Sequence, residues 1–280
     1  MGLSLSGAGP GRVLAVNDLS GPPEAPPTVD LPTPRRALAV GAHPDDVEFG
    51  CGATLAKWAA AGCELHHLVL TDGAKGTWDP SADPEALVAV RQEEQRRAAA
   101  VLGGGDVTFL GFPDGELRNS VREQWEVCRV VRSLRPDVVL GHDPWRRYRL
   151  HPDHRHAGYV LADALVAARD PLFFPEQELA PHRPDALLLW EADVVNHVET
   201  VVGHEAAKID ALLAHRTQYR STMGIEAGGG PEGPAADEAG GGPGDGGLES
   251  FRQRVLAQLA AHGRLVGSPA GECFHLMTDL

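Results

Sequence analysis

Residues 42–46 read Ala-His-Pro-Asp-Asp, and residues 151–154 read His-Pro-Asp-His. Imidazole nitrogens and carboxylate oxygens are the donors a zinc ion takes when it has water to activate, three from the protein with one position open. The two strings hold enough of both to grip one divalent cation and leave an acid over to move a proton. Neither string decides the matter alone. Proline stiffens a turn, and an Asp before a helix commonly accepts from helical amides, so each could be a capping turn, with Asp153 as the cap in the second.

Their placement along the chain joins them. Arg36–Gly41 is a short apolar run and reads as a buried strand. A helix over Gly52–Ala61 is closed by Gly62, and Glu64–Leu70 is a second strand containing His66 and His67, read as packing or edge residues. The alternation continues with a helix over Pro84–Leu102 and a strand over Val107–Leu110. Then come a helix over Ser120–Leu134, with Glu123 at capping-box spacing from Ser120, a strand over Asp137–Gly141 and a helix over Arg155–Ala168. Strands are expected again at Ala186–Trp190, around Val198–Val202 and at Cys273–Thr278, with helices over Glu205–Arg220 and Leu248–His262. Strands and helices in this order predict an α/β fold: a Rossmann-like, mostly parallel sheet flanked by helices. Ligands of such sheets bind beyond the carboxyl ends of the strands. The first string follows the first strand of the alternation and the second follows the fourth, so both belong on one rim.

The remaining composition narrows the function classes. The 280 residues are 42% hydrophobic and carry a formal net charge of −14, which disfavours nucleic acid and anionic membranes as partners. No stretch of about eighteen apolar residues occurs, and no basic start precedes an apolar run at the N-terminus, so neither a membrane span nor a secretory signal is expected. Cys51, Cys63, Cys128 and Cys273 are scattered without a CxxC and read as reduced thiols of a cytoplasmic protein; Cys51, five residues after Asp46, is the one that could reach a metal, with helix packing the alternative. Residues 1–35, rich in Pro and Gly, read as an extended arm with at most a short strand at Val13–Val16. Residues 36–280 read as a single domain, with a Gly-rich flexible insertion at about 224–247.

Several segments together resemble the LmbE-like or PIG-L family of zinc-dependent deacetylases acting on N-acetylglucosaminyl compounds. They are AHPDDVEFGCGATLAKWAAAG (42–62), RQEE (91–94), LGFPDGEL (110–117) and HPDH (151–154), continuing weakly through KIDALLAHRTQY (208–219) and GECF (271–274). The resemblance implies that His43, Asp46 and His154 hold one Zn2+, or another divalent ion in its place, and that Asp45 is the general base. It implies that His151 stabilises the oxyanion, or is itself held by a carboxylate such as Asp153. Arg91 and Asp114 match residues that contact sugar hydroxyls, although Arg91 could be a solvated helix charge and Asp114 a turn residue. The reaction implied is removal of an acetyl group from an N-acetylglucosaminyl-type small molecule, with homo-oligomerisation left open.

The sequence departs from the family in three places. Some relatives place a tyrosine two residues before HPDH, where it helps bind the oxyanion; here Arg149 stands there, with Tyr148 beside it, and either could serve. The loop Thr71–Gly76 lacks the acidic residue that some thiol-sugar deacetylases carry near its centre. An Asp that many relatives place before the late helix corresponds to Thr200, with His197 and Glu199 close by as substitutes. Two alternatives follow: an amidase of a larger thiol-sugar conjugate, and a non-catalytic Rossmann-like module holding a nucleotide or sugar. The second is disfavoured because Gly50-Cys51-Gly52 is only a GxG, and the loop before it carries acids that repel pyrophosphate.

Overall fold

The computed structural model describes residues 25–226 and 245–280. Val13–Val16 and most of the Gly-rich insertion, residues 227–244, lie outside them.

Among the described residues, eight strands form one sheet. In chain order they are β1 (Thr28–Val29), β2 (Arg36–Gly41), β3 (Glu64–Thr71), β4 (Asp106–Phe112), β5 (Val138–His142), β6 (Ala186–Trp190), β7 (His197–Thr200) and β8 (Gly271–Met277). Their spatial order is β1-β7-β8-β6-β5-β2-β3-β4. Strands β2 to β6 pair in parallel, and β8 runs antiparallel to both β6 and β7. The helices are α1 (Asp46–Ala60), α2 (Pro84–Val101), α3 (Val121–Leu134), α4 (Pro152–Arg169), α5 (Glu205–Leu213) and α6 (Asp245–Arg264).

Side-chain alternation along β2 divides the core into two layers. Leu38 and Val40 join apolar residues of α3 and α4 on one face, while Ala37 and Ala39 join α1, α2 and α5 on the other. A third cluster packs α1 and α5 on α6. Helix α1 is interrupted at Cys51, whose backbone is not helical (φ −148°). Glu272 of β8 accepts from the amides of Ala53 and Thr54 just past the break, at 3.2 and 2.7 Å, and pairs with the buried Lys208 ammonium at 2.5 Å. The weakly family-like segments around Lys208 and Glu272 therefore tie α1 to α5 and the sheet.

Three expectations change here. The supposed arm enters the sheet at Thr28, because β1 pairs with β7 and the Leu31 amide donates to Glu199 at 2.8 Å. The supposed insertion contributes Ile225, which is buried in the α5–α6 cluster. The helix expected over Glu205–Arg220 ends at Leu213 and continues as a 3-10 turn at Arg216–Gln218 and a π-helical turn at Tyr219–Met223.

The chain leaves β2 for β3 and β4 on one side and returns to β5 on the other. The gap between the carboxyl ends of β2 and β5 is thus a topological switch point, where such sheets hold ligands. Helix α4 is pressed against that end of β5. A methyl group at Gly158 would lie 2.6 Å from the His142 carbonyl oxygen and 2.8 Å from the Pro144 nitrogen, both backbone atoms that cannot turn aside. Gly158→Ala is therefore expected to cost about 1–3 kcal/mol, read as a lower urea midpoint. An unchanged midpoint would show that α4 does not depend on this approach.

Candidate active site

The loop after β2 turns into α1 through Asp45, which takes φ +101°, a conformation that L-residues other than Gly adopt at a cost. Asp45 occupies the capping position of α1 but makes no side-chain capping bond. The capping-turn explanation of the first string therefore fails. Its carboxylate is buried and faces a cavity of about 620 Å³. Burial pushes the Asp45 pKa up to about 6, with the nearby Asp46 carboxylate adding to the rise and Arg91 opposing it. Asp46 follows in the first helical turn, where the helix dipole favours an acid. Burial works against its ionisation, but His154 and His142 outweigh it and hold its pKa well below the ordinary value.

The second string arrives at the start of α4. His151 precedes the helix without capping it. Asp153 does not cap it either. Its carboxylate accepts from the amides of Gly115 (2.6 Å) and Leu117 (3.2 Å), and its Oδ2 lies 3.1 Å from His43 Nε2. Asp153 thus holds His43; the expected partnership with His151 is not the contact observed.

The imidazoles and Asp46 converge. His43 Nδ1 lies 3.3 Å from Asp46 Oδ2, and His154 Nε2 lies 3.2 Å from Asp46 Oδ1. The His154 ring stacks on His151 at 4.5 Å and on His142 at 4.4 Å between centroids, and lies 5.2 Å from the His43 ring. Burial lowers the His43 pKa, but the carboxylates of Asp114, Asp153 and Asp46 outweigh it and raise the value well above the ordinary one. Burial and the His43 and His154 rings push His151 down. Ligand atoms of His43, His151 and His154 lie within 4.8 Å of one another, as do those of Asp46, His142 and His154. Imidazoles and carboxylates so grouped can hold a metal ion.

His142 is the residue the sequence reading missed. It ends β5 on the same rim, and a histidine closing an apolar parallel strand there was the available signal. Trp190 Nε1–H donates to His142 Nδ1 at 3.0 Å, and an indole nitrogen can only donate. A neutral His142 therefore carries its proton on Nε2, 3.2 Å from Asp46 Oδ2. Burial lowers its pKa to about 4, which keeps it neutral. In that tautomer Nε2 faces Asp46 without hydrogen-bonding to it and, being protonated, leaves coordination to the other imidazoles.

The expected sugar contacts fare differently. Asp114 lines the cavity, with Oδ1 3.1 Å from His43 Nε2 and Oδ2 accepting from the Lys75 amide at 2.9 Å. Burial opposes its ionisation, but His43 prevails and sets its pKa at about 2. Arg91 also lines the cavity but is buried. Its Nη1 donates to the Gly73 carbonyl at 2.8 Å, its Nη2 donates to the Pro44 carbonyl at 2.6 Å, and Nη2 lies 3.8 Å from Asp45 Oδ2. It is not a solvated helix charge. Arg149 does not line the cavity: its guanidinium pairs with Glu191 and approaches His142 Nδ1 at 3.4 Å. Tyr148 is 93% exposed and also lies outside the lining. His197 and Glu199 are buried on β7 beside the edge strand β1, 2.9 Å apart, where Glu199 anchors β1 and Lys57, so they do not stand in for an active-site acid. The Cys51 thiol donates to the Val47 carbonyl at 3.5 Å inside the core and is not a ligand.

Comparison with known proteins shows the family of the chain. Residues 38–165 match the GlcNAc-PI de-N-acetylase (PIG-L) family. The chain is 34% identical over 188 residues to the diacetylchitobiose deacetylase of Thermococcus kodakarensis, covering 66% of this chain and 70% of that protein. It is 29% identical over 203 residues to a probable N-acetyl-α-D-glucosaminyl L-malate deacetylase of Bacillus anthracis, covering 68% and 84%. The N,N'-diacetylchitobiose deacetylase of Pyrococcus horikoshii superposes with a TM-score of 0.74 at 26% identity, covering 88% of this chain and 84% of that one. The chain belongs to the GlcNAc-PI de-N-acetylase family.

Proposed function

We propose that this protein is a zinc-dependent hydrolase that removes the acetyl group from an N-acetylglucosaminyl-type small molecule. The observation that carries the reading is Asp45: a buried carboxylate that neither caps its helix nor has a fixed salt-bridge partner closer than Arg91, beside an acid gripped by imidazoles. Two relatives carry the names diacetylchitobiose deacetylase and probable N-acetyl-α-D-glucosaminyl L-malate deacetylase, which supports the same bond and substrate class.

His43, Asp46 and His154 would hold the zinc, as the family resemblance implies, while the protonated His142 nitrogen facing Asp46 has no lone pair to offer. When bound, zinc supplies a Lewis acid that polarises the amide carbonyl and acidifies water. Asp45 takes the proton from the attacking water and returns it to the departing amine nitrogen, so acetate and a free amine leave. Its raised pKa, about 6, suits a group that must both accept and give a proton near neutrality. His151, neutral and next to His154, is placed to donate to the oxygen that gains charge. Asp114 and the donors beside it offer hydrogen bonds to sugar hydroxyls. Arg91 holds the Pro44 carbonyl and faces Asp45, so its contribution is to hold the base in place as much as to touch substrate. The thiols are unpaired, in keeping with a cytoplasmic setting, and among the described residues no helix is long and apolar enough to cross a membrane.

The test is acetate release from a panel of N-acetylglucosamine derivatives by zinc-reconstituted protein, with the amine product identified by mass. Stoichiometric acetate and amine are expected. Cleavage at any other bond, or none across the panel, would overturn the reading.

A further inference from the structure

Beneath the cavity floor lies a row of buried polar side chains to which nothing above assigns a role. The Asp45 amide, turned away from α1 by its positive φ, donates to Gln95 Oε1 at 3.0 Å. Gln95 Nε2 donates to Glu48 Oε1 at 2.7 Å. Glu48 Oε2 faces His215 Nε2 at 3.3 Å. Gln95, Glu48 and His215 are each 0% exposed. The orientation of the Gln95 amide is fixed by chemistry at both ends, because an N–H requires an acceptor and a carboxylate requires a donor. Burying such a set costs free energy unless it is paired, and a non-Gly backbone at positive φ is strained and persists only where its surroundings enforce it. Gln95 lies four residues after Arg91 on the same face of α2, so one helix face holds the Pro44 carbonyl and the Asp45 amide on either side of a single peptide unit.

We propose that Gln95, braced by Glu48, is a positioning residue that locks the Asp45 backbone at positive φ and thereby aims the base into the cavity. The proposal rests on Asp45 being the base. Without the Gln95 oxygen the Asp45 amide is a buried donor with no acceptor. The peptide between Pro44 and Asp45 then gains by rotating, φ relaxes towards negative values, and the carboxylate swings off its line. A misplacement of about 1 Å costs on the order of a hundredfold in rate. Substrate and metal contacts belong to other side chains and should be left alone.

The test uses Gln95→Met, which keeps volume and removes the acceptor. It is expected to lower kcat roughly 10- to 100-fold with KM and zinc content within about twofold of the parent. Exchange of the Asp45 amide proton should quicken by about tenfold or more while the urea midpoint moves far less than a global opening would require. The swap E48Q/Q95E restores an acceptor for the Asp45 amide and a donor facing it from position 48, and is expected to recover most of kcat. If Gln95→Met does not fold, Gln95→Asn is read instead: its amide is one methylene too short to span from Asp45 to Glu48, and the same loss is expected. Unchanged kcat in a folded Gln95 variant, or a swap no better than Gln95→Met, would overturn the proposal. If the parent releases no acetate, the reading of Asp45 as base fails on its own, and Asp45 amide exchange still reports whether Gln95 locks the backbone. Exchange unaffected by the loss of Gln95 would overturn it there too.

Discussion

Asp45→Asn is expected to abolish acetate release while making the protein more stable. Removing a general base costs typically 10²–10⁴-fold in rate, and Asn cannot take the proton from water. Zinc content and substrate affinity should hold, since Asn keeps the shape and tolerates positive φ. The stability change follows from the raised pKa of Asp45, about 6 against an ordinary 3.8. Folding favours the neutral acid, so the native state is favoured by this group at low pH and loses that favour as pH rises through about 6. Above that pH the buried charge costs on the order of 1–3 kcal/mol, and Asn removes the cost. Denaturation of zinc-free protein should show Asp45→Asn ahead of the parent at pH 7.5, with a gap that narrows as pH falls from 6 towards 4. Full activity in the Asn variant would remove Asp45 from the chemistry. A parent more stable than the variant at pH 7.5 would mean that the ionised carboxylate is well satisfied where it lies.

His154→Ala is expected to lose the metal and the reaction together. His154 belongs both to the grouping with Asp46 and His142 and to the one with His43 and His151, and its Nε2 faces Asp46 directly. Chelator-treated parent should lose turnover and regain it on one equivalent of zinc. His154→Ala should bind zinc at least roughly 10–100-fold more weakly and regain no measurable turnover at that dose. Metal analysis after dialysis checks the first part and acetate release the second. A variant that keeps stoichiometric zinc would show that the donors are other residues.

Much of this arrangement was legible in the residues. The apolar run Val138–Leu140 and the alternation around it placed two His- and Asp-bearing loops on one rim, and the structure brings His43, Asp45, Asp46, His151 and His154 around a single cavity. Chain order alone gives this, because parallel strands put their following loops on the same side. What the residues did not show depends on contact. His142 falls just past the strand expected over Asp137–Gly141, yet it closes β5 and faces Asp46. Arg149, expected as a substrate donor, pairs its guanidinium with Glu191 of the cavity wall instead. The helix expected to run to Arg220 ends early. Its continuation is held elsewhere: His215 faces Glu48, and Thr217 donates to Glu94 through its amide at 2.9 Å and also through its hydroxyl. Tertiary partners there outweigh helix propensity, and no local pattern announces them. The strain at Asp45 is equally silent in sequence, since an Asp before a helix ordinarily signals a cap.

One divalent ion is expected between His43, Asp46 and His154, with Asp45 beside it and unbound. Anomalous diffraction at the zinc edge from crystals of reconstituted protein tests it most directly. One zinc per chain, bonded to those two imidazoles and to Asp46 and not to Asp45, is the expected result. Zinc bonded to Asp45, zinc lodged at another place, or crystals that take up none would contradict it.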